Sequence, residues 1–213
     1  VSSLEATAQE TNVSLGQILE DGGIETVRDM SNTITFLSDS TKQITIRIEP
    51  NILETKVDKV RVEMPTYAIT LKLADLEQDL KRTLVITAED VGTEDEVGTS
   101  NRIPSVRIEM PDGHLSNPVT LSLPTGSAEP TYMAVMNADG DASASKYNPA
   151  TASLDGKVNT SGEYTPLGNA KDFTDIANKD ERMKKAIREL AARGIINGTS
   201  DTTFSPDNKL TRA

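Results

Sequence analysis

Apolar residues through most of this chain recur at every second position, in short runs. Ile44, Ile46 and Ile48 alternate with Thr45 and Arg47, Val60 and Val62 with Arg61 and Glu63, and Ile69, Leu71 and Leu73 with Thr70 and Lys72. The pattern returns at Val106, Ile108 and Met110 and at Val119, Leu121 and Leu123, with Leu84, Val85 and Ile86 opening another run and Tyr132, Ala134 and Met136 a further candidate. Successive side chains of a strand point to opposite faces, so this period gives each segment one dry face and one wet face. Turn signals separate the runs at Pro50-Asn51, Met64-Pro65, Asp112-Gly113, Pro124-Thr125-Gly126 and Asp139-Gly140. Many short alternating strands broken by Pro and Gly predict a mainly β, antiparallel, sandwich-like domain over about residues 33–160, rather than a parallel α/β sheet. Residues 75–80 are expected to make one helical turn. Ser14 with Gln17 suggests a capping box opening a short helix through Leu19.

One hexamer echoes another. Val60-Arg61-Val62-Glu63-Met64-Pro65 recurs as Val106-Arg107-Ile108-Glu109-Met110-Pro111, each copy followed by another alternating run. An internal duplication and two independent strand–turn–strand solutions both account for it, and a single matched hexamer favours the second.

The last forty or so residues change period. Met183, Ile187, Leu190 and Ala191 are spaced to share one helical face, with Lys184, Lys185, Arg188 and Glu189 mostly opposite. Asp180 or Asn178 can cap the start of a helix over about 180–193, and Arg193 suits the negative end of its dipole. Gly194 follows where a helix often needs a left-handed residue to stop. Ile195 and Ile196 would fold back onto the apolar face, Asn197-Gly198 marks a turn, and Phe204 and Pro206 would pin the next loop.

Five features of this segment stand in a fixed order: Phe173-Thr174-Asp175, the amphipathic helix, Gly194-Ile195-Ile196-Asn197-Gly198, Phe204-Ser205-Pro206 and Thr211-Arg212-Ala213. Together they resemble the S-layer homology domain, a module that holds secreted proteins on the bacterial cell wall. The resemblance implies that Arg212, with Thr211 beside it, helps to bind an anionic wall polysaccharide, and a guanidinium suits a carboxylate because it donates two parallel hydrogen bonds. Two departures stand out. Arg182 occupies a position where the family usually has tryptophan, and the chain stops at Ala213, before the motif's glutamate and the second helix. Since the family usually carries three packed repeats, the chain is expected to be a piece of a longer protein whose complete anchoring region does the binding. Residues 171–213 are accordingly expected to be loosely tethered or packed against a neighbouring copy.

Lys146-Tyr147-Asn148-Pro149-Ala150-Thr151 looks like the terminal hairpin of β domains that often precede such repeats in clostridial surface proteins. It implies a spacer or surface-array module. The expected organisation is a β-rich domain over 1–165 with a short N-terminal helix, a linker at 166–172 within a polar stretch from 159, and an incomplete S-layer homology repeat over 173–213.

Charge and composition exclude several function classes. The chain's net charge of −11 argues against nucleic acid as partner. Residues 173–213 carry a net +2 and residues 1–172 a net −13, so the terminal segment tolerates an acidic polymer that the rest would repel. Cysteine is absent, which removes disulfides and thiolate metal sites. No apolar run approaches the roughly 20 residues needed to span a membrane. No signal peptide is visible from Val1 onward, as expected if a leader has been removed.

Candidate chemical sites are few. His114, the only histidine, lies in a turn with no sequence-evident catalytic partner. Asn137, Asp139, Asp141 and Ser143 space their oxygens like the first half of a calcium loop. However, Ala142 replaces its glycine and Asn148 its final glutamate, so an ordinary polar hairpin explains them better. Asp90, Glu94, Asp95 and Glu96 read as a solvated acidic loop. Phosphate-loop, dinucleotide and nucleophile-elbow signatures are absent. With no tryptophan and 3% aromatics, stacking platforms for a sugar-cleaving cleft are scarce. The expectation is a non-catalytic, extracellular surface protein without cofactor or metal, whose partners are the wall polysaccharide and other surface proteins. The alternative is an accessory glycan-binding module of a cell-bound polysaccharide-degrading system.

Overall fold

A computed structural model describes residues 6–7, 10–14, 27–28, 32–37, 43–92, 104–126 and 130–208. Fifteen strands lie among them. They are β1 (Ala6–Thr7), β2 (Glu10–Ser14), β3 (Val27–Arg28), β4 (Thr33–Leu37), β5 (Gln43–Ile48), β6 (Lys59–Glu63), β7 (Ala68–Lys72) and β8 (Leu84–Asp90), followed by β9 (Val106–Glu109), β10 (His114–Pro124), β11 (Met133–Asn137), β12 (Ala142–Ser143), β13 (Ser145–Asn148), β14 (Ser153–Thr160) and β15 (Gly162–Gly168). One helix, α1 (Glu181–Ala192), follows. The strands form two sheets, ordered β1-β2-β5-β8-β9-β15-β11-β12 and β13-β14-β10-β7-β6-β4-β3.

The alternating residues are the core. Ile44, Ile46, Ile48, Val60, Leu71, Ile86, Ile108 and Leu121 are all fully buried between the sheets. The pairs are antiparallel except β2 with β5 and β4 with β6, which run parallel. Two tyrosines tie the layers. Tyr67 donates its hydroxyl to Ala88 O at 3.0 Å, and burial pushes that hydroxyl well above its usual range. Tyr164 donates to Thr160 O at 2.8 Å, four residues upstream, as tyrosines at sandwich corners do.

Several expectations change in detail. Residues 75–80 do turn helically, as 3-10 turns at Leu73–Leu76 and Asp79–Lys81. The helix expected from Ser14 lies outside the described residues beyond Ser14 itself, which ends a strand. Tyr132 sits in a 3-10 turn before β11, and Ala134 and Val135 are both buried, so strict alternation fails there. In the polar stretch from 159, β14 and β15 run on to Gly168, and residues 169–172 follow without helix or strand. The Lys146–Thr151 stretch does form a hairpin turn, joining β13 and β14 in register from Asn148↔Ser153. The echoed hexamers diverge. The first pairs in a hairpin with β7, Glu63 opposite Ala68, while the second lies in the other sheet and its successor β10 crosses away. They are two different solutions with the same local pattern.

Candidate functional site

The C-terminal segment folds around a core of its own. Phe173, Ile176, Ile187 and Ala191 are buried together, with Ile196 and Phe204 packed against them. The rings of Phe173 and Phe204 lie 5.6 Å apart at 48°, a favourable tilted contact. Hydrogen bonds join the same two ends of the segment. Thr174 N donates to Thr202 O at 2.9 Å. The Asp175 carboxylate accepts from Phe204 N at 2.9 Å and from Ser205 N at 2.6 Å. The Phe204 amide, seconded by that of Ser205, holds the Asp175 carboxyl below its ordinary range, because both bonds favour the charged form. Gly198 closes the turn at a point where a β-carbon would stand 2.6 Å from the Phe173 ring and 2.5 Å from Ser200 O.

Of the two candidate caps, Asp180 is the one used: its Oδ1 accepts from Met183 N at 3.0 Å. Gly194 ends the helix at φ 65°, as its sequence position suggests. The buried face differs from the expected one. Ile187, Ala191 and Ala192 are covered, but Met183 is 43% exposed and Leu190 36%. The helix touches two neighbours, its own loop core and the sandwich, and neither covers the Met183–Leu190 edge. Ile195 also points outward, at 49% exposed. Nor is the segment loosely tethered. Asn169 Nδ2 donates to Ala192 O at 2.8 Å and Ser145 N to Arg193 O at 2.9 Å, docking the end of α1 on the sandwich.

The two residues singled out for polysaccharide binding, Thr211 and Arg212, lie outside the described residues. Arg182, at the family's tryptophan position, is exposed on the first turn of α1. Near the docked helix, a groove of about 270 Å³ is lined by Lys171, Asn197, Ser200 and Asp201 beside Phe173 and Ile196. Its lining sets one ammonium, one amide, one hydroxyl and the Asp201 carboxylate beside an apolar wall. The sequence marked Asn197 only as a turn residue and Lys171 not at all, since their convergence depends on the loop folding back.

The remaining candidates behave as local structure. His114 is exposed at the start of β10, with Nδ1 3.3 Å from Asp112 O. Asn137 holds the β11–β12 hairpin by accepting from Asp141 N at 2.8 Å, so its side-chain oxygen is committed to the turn. Asp90 accepts from Thr66 Oγ1 at 2.5 Å and Gly92 N at 3.0 Å. Glu94, Asp95 and Glu96 lie outside the described residues. Among the described residues, no three His, Cys, Asp or Glu side chains converge as a metal site, and no helix is long and apolar enough to cross a membrane.

In a comparison with known families, residues 172–213 match the S-layer homology domain. The match covers the segment with its own core. S-layer homology domains are anchoring modules of the bacterial cell surface, and the chain carries one at its C-terminal end, behind a β-rich domain. No curated protein and no solved structure gave a match.

Proposed function

We propose that this chain is a non-catalytic surface module in which the β sandwich is held on the cell wall through S-layer homology repeats that grip an anionic polysaccharide. The carrying observation is the match over residues 172–213, supported by the Phe173–Phe204 contact and the Asp175 clamp that join the two ends of that motif. Thr211 and Arg212 are the residues proposed to meet the polymer, acting with further repeats as the family resemblance implies. Alone, a guanidinium in water contributes about 1 kcal/mol or less, far below the roughly 8 kcal/mol of micromolar binding. The sandwich, on the acidic side of a chain whose residues 1–172 carry a net −13 against +2 for the rest, is proposed as spacer or display surface.

Sedimentation with isolated wall sacculi tests this. A protein extended through additional repeats should be retained, and the 213-residue chain should stay largely in solution. Equal retention of both would assign the affinity to the sandwich, and with it the accessory glycan-binding role.

A further inference from the structure

The last carbonyls of a helix have no partner within it and need one elsewhere. At the end of α1 the chain's own continuation serves three of them. Glu189 O accepts from Arg193 N at 3.1 Å, Leu190 O from Ile195 N at 3.0 Å and Ala191 O from Gly194 N at 3.1 Å. The next two, Ala192 O and Arg193 O, are satisfied by the sandwich: the first by the Asn169 amide and the second by the Ser145 backbone N–H.

Both donors are fixed before they reach across. Asn169 is 8% exposed and anchored by its own N–H on Tyr132 O at 2.8 Å. Ser145 is 1% exposed, and its hydroxyl bridges Ser143 O and Val135 N. The contact is also shaped for closeness. Ala192 is fully buried, and a β-carbon on Gly194 would stand 2.8 Å from Ala142 O, too near to be accommodated without backbone movement. Burying a carbonyl without a partner is costly, and at this contact the sandwich that covers the two helix carbonyls also supplies a donor to each.

We propose that the sandwich serves as the C-terminal cap of the segment's helix, making sandwich and S-layer homology segment one rigid body. The module is then held at a set angle to whatever the anchor grips, rather than swinging on a linker. The significance for orientation on the wall rests on the anchoring reading. The joint itself does not, and a failure of wall binding would leave it untouched.

The chain's lack of cysteine allows clean double spin-labelling of the full 213-residue protein. Lys56→Cys on the sandwich and Lys185→Cys on α1 both replace exposed residues. Dipolar spectroscopy should give one narrow distance distribution, and adding Asn169→Leu with Gly194→Val should broaden it and remove its single maximum. In the same variant, hydrogen exchange at the C-terminal turn of α1 should quicken roughly tenfold or more, as expected for a lost buried hydrogen bond, while β5 and β8 keep their protection. A broad distribution in the parent pair would overturn the proposal. So would an unchanged narrow one in the variant. Loss of protection in β5 and β8 as well would show that these residues hold the sandwich rather than the joint, and would equally refute it.

Discussion

Asp175 closes a loop with one carboxylate, and its chemistry predicts how that loop responds to acid. Its two acceptor bonds, to the amides of Phe204 and Ser205, span twenty-nine and thirty residues of sequence. They lower the carboxyl's proton affinity in the folded state below the ordinary 3.8. A carboxylate with a depressed folded value contributes its full stabilisation above the unfolded value and loses it as pH falls through the folded one. The loop around Phe204 should therefore remain closed at mildly acidic pH and open only below the ordinary carboxylate range. The amide resonances of Phe204 and Ser205, followed by NMR, should titrate together with a midpoint under 3.8. Asp175→Asn should abolish that step, and its persistence in the variant would mean that another group controls the loop.

Elements were legible where the local period and the burial agree. The run Ile44, Ile46, Ile48 became a strand with all three fully buried, because its dry face needed nothing beyond a facing sheet. The strand β14 was implied only through the hairpin resemblance at Lys146–Thr151 and β15 escaped notice, for reasons visible in the packing. Gly156 reads as a breaker, yet a β-carbon there would stand 2.6 Å from that of Val135, so the glycine makes room for the opposite sheet. Pro166 also reads as a breaker, but it pairs with Val135 inside β15, whose inward residue Tyr164 supplies the corner. The parallel pairs of β2 and β4 were invisible because no local pattern specifies a partner's direction. The C-terminal motif, by contrast, was readable residue by residue, since its Phe, Asp, Gly and Pro positions serve contacts within one short segment. The joint was not, because Asn169 and Ser145 look like any polar loop residues until the helix end arrives. The helix start was narrowed only to two candidates, and the structure selects Asp180. Asp180→Ala should destabilise α1 by about 1 kcal/mol, read as a lower midpoint of helical ellipticity on heating, whereas Asn178→Ala should leave it nearly unchanged. Equal effects would mean that the cap is shared.

At the scale of the whole molecule, two cores of unequal size share one boundary. The sandwich core gathers the alternating residues of both sheets, and the segment core rests on Phe173, Ile176, Ile187 and Ala191. A cluster that small excludes little apolar surface from water, and apolar burial is the dominant favourable contribution to folding. The segment must then draw on the sandwich for the rest, through the covered face of Ala192 and the two capped carbonyls. The dependence runs one way, because the sandwich's buried isoleucines and leucines are packed without the segment. Truncating a buried aliphatic side chain to alanine typically costs about 2–5 kcal/mol, and the same loss should have different reach in the two cores. Ile187→Ala, 7% exposed in the segment, should abolish the signal of α1 at temperatures where the β-sheet signal is intact. Leu121→Ala, fully buried in the sandwich, should lower both signals together, since the segment loses its support when the sheets unfold. Circular dichroism at helix and sheet wavelengths, paired with hydrogen exchange on β5 and β8, separates the cases. If Ile187→Ala moved the sandwich transition as far as Leu121→Ala does, support would run in both directions, and the one-sided dependence of anchor on module would be wrong.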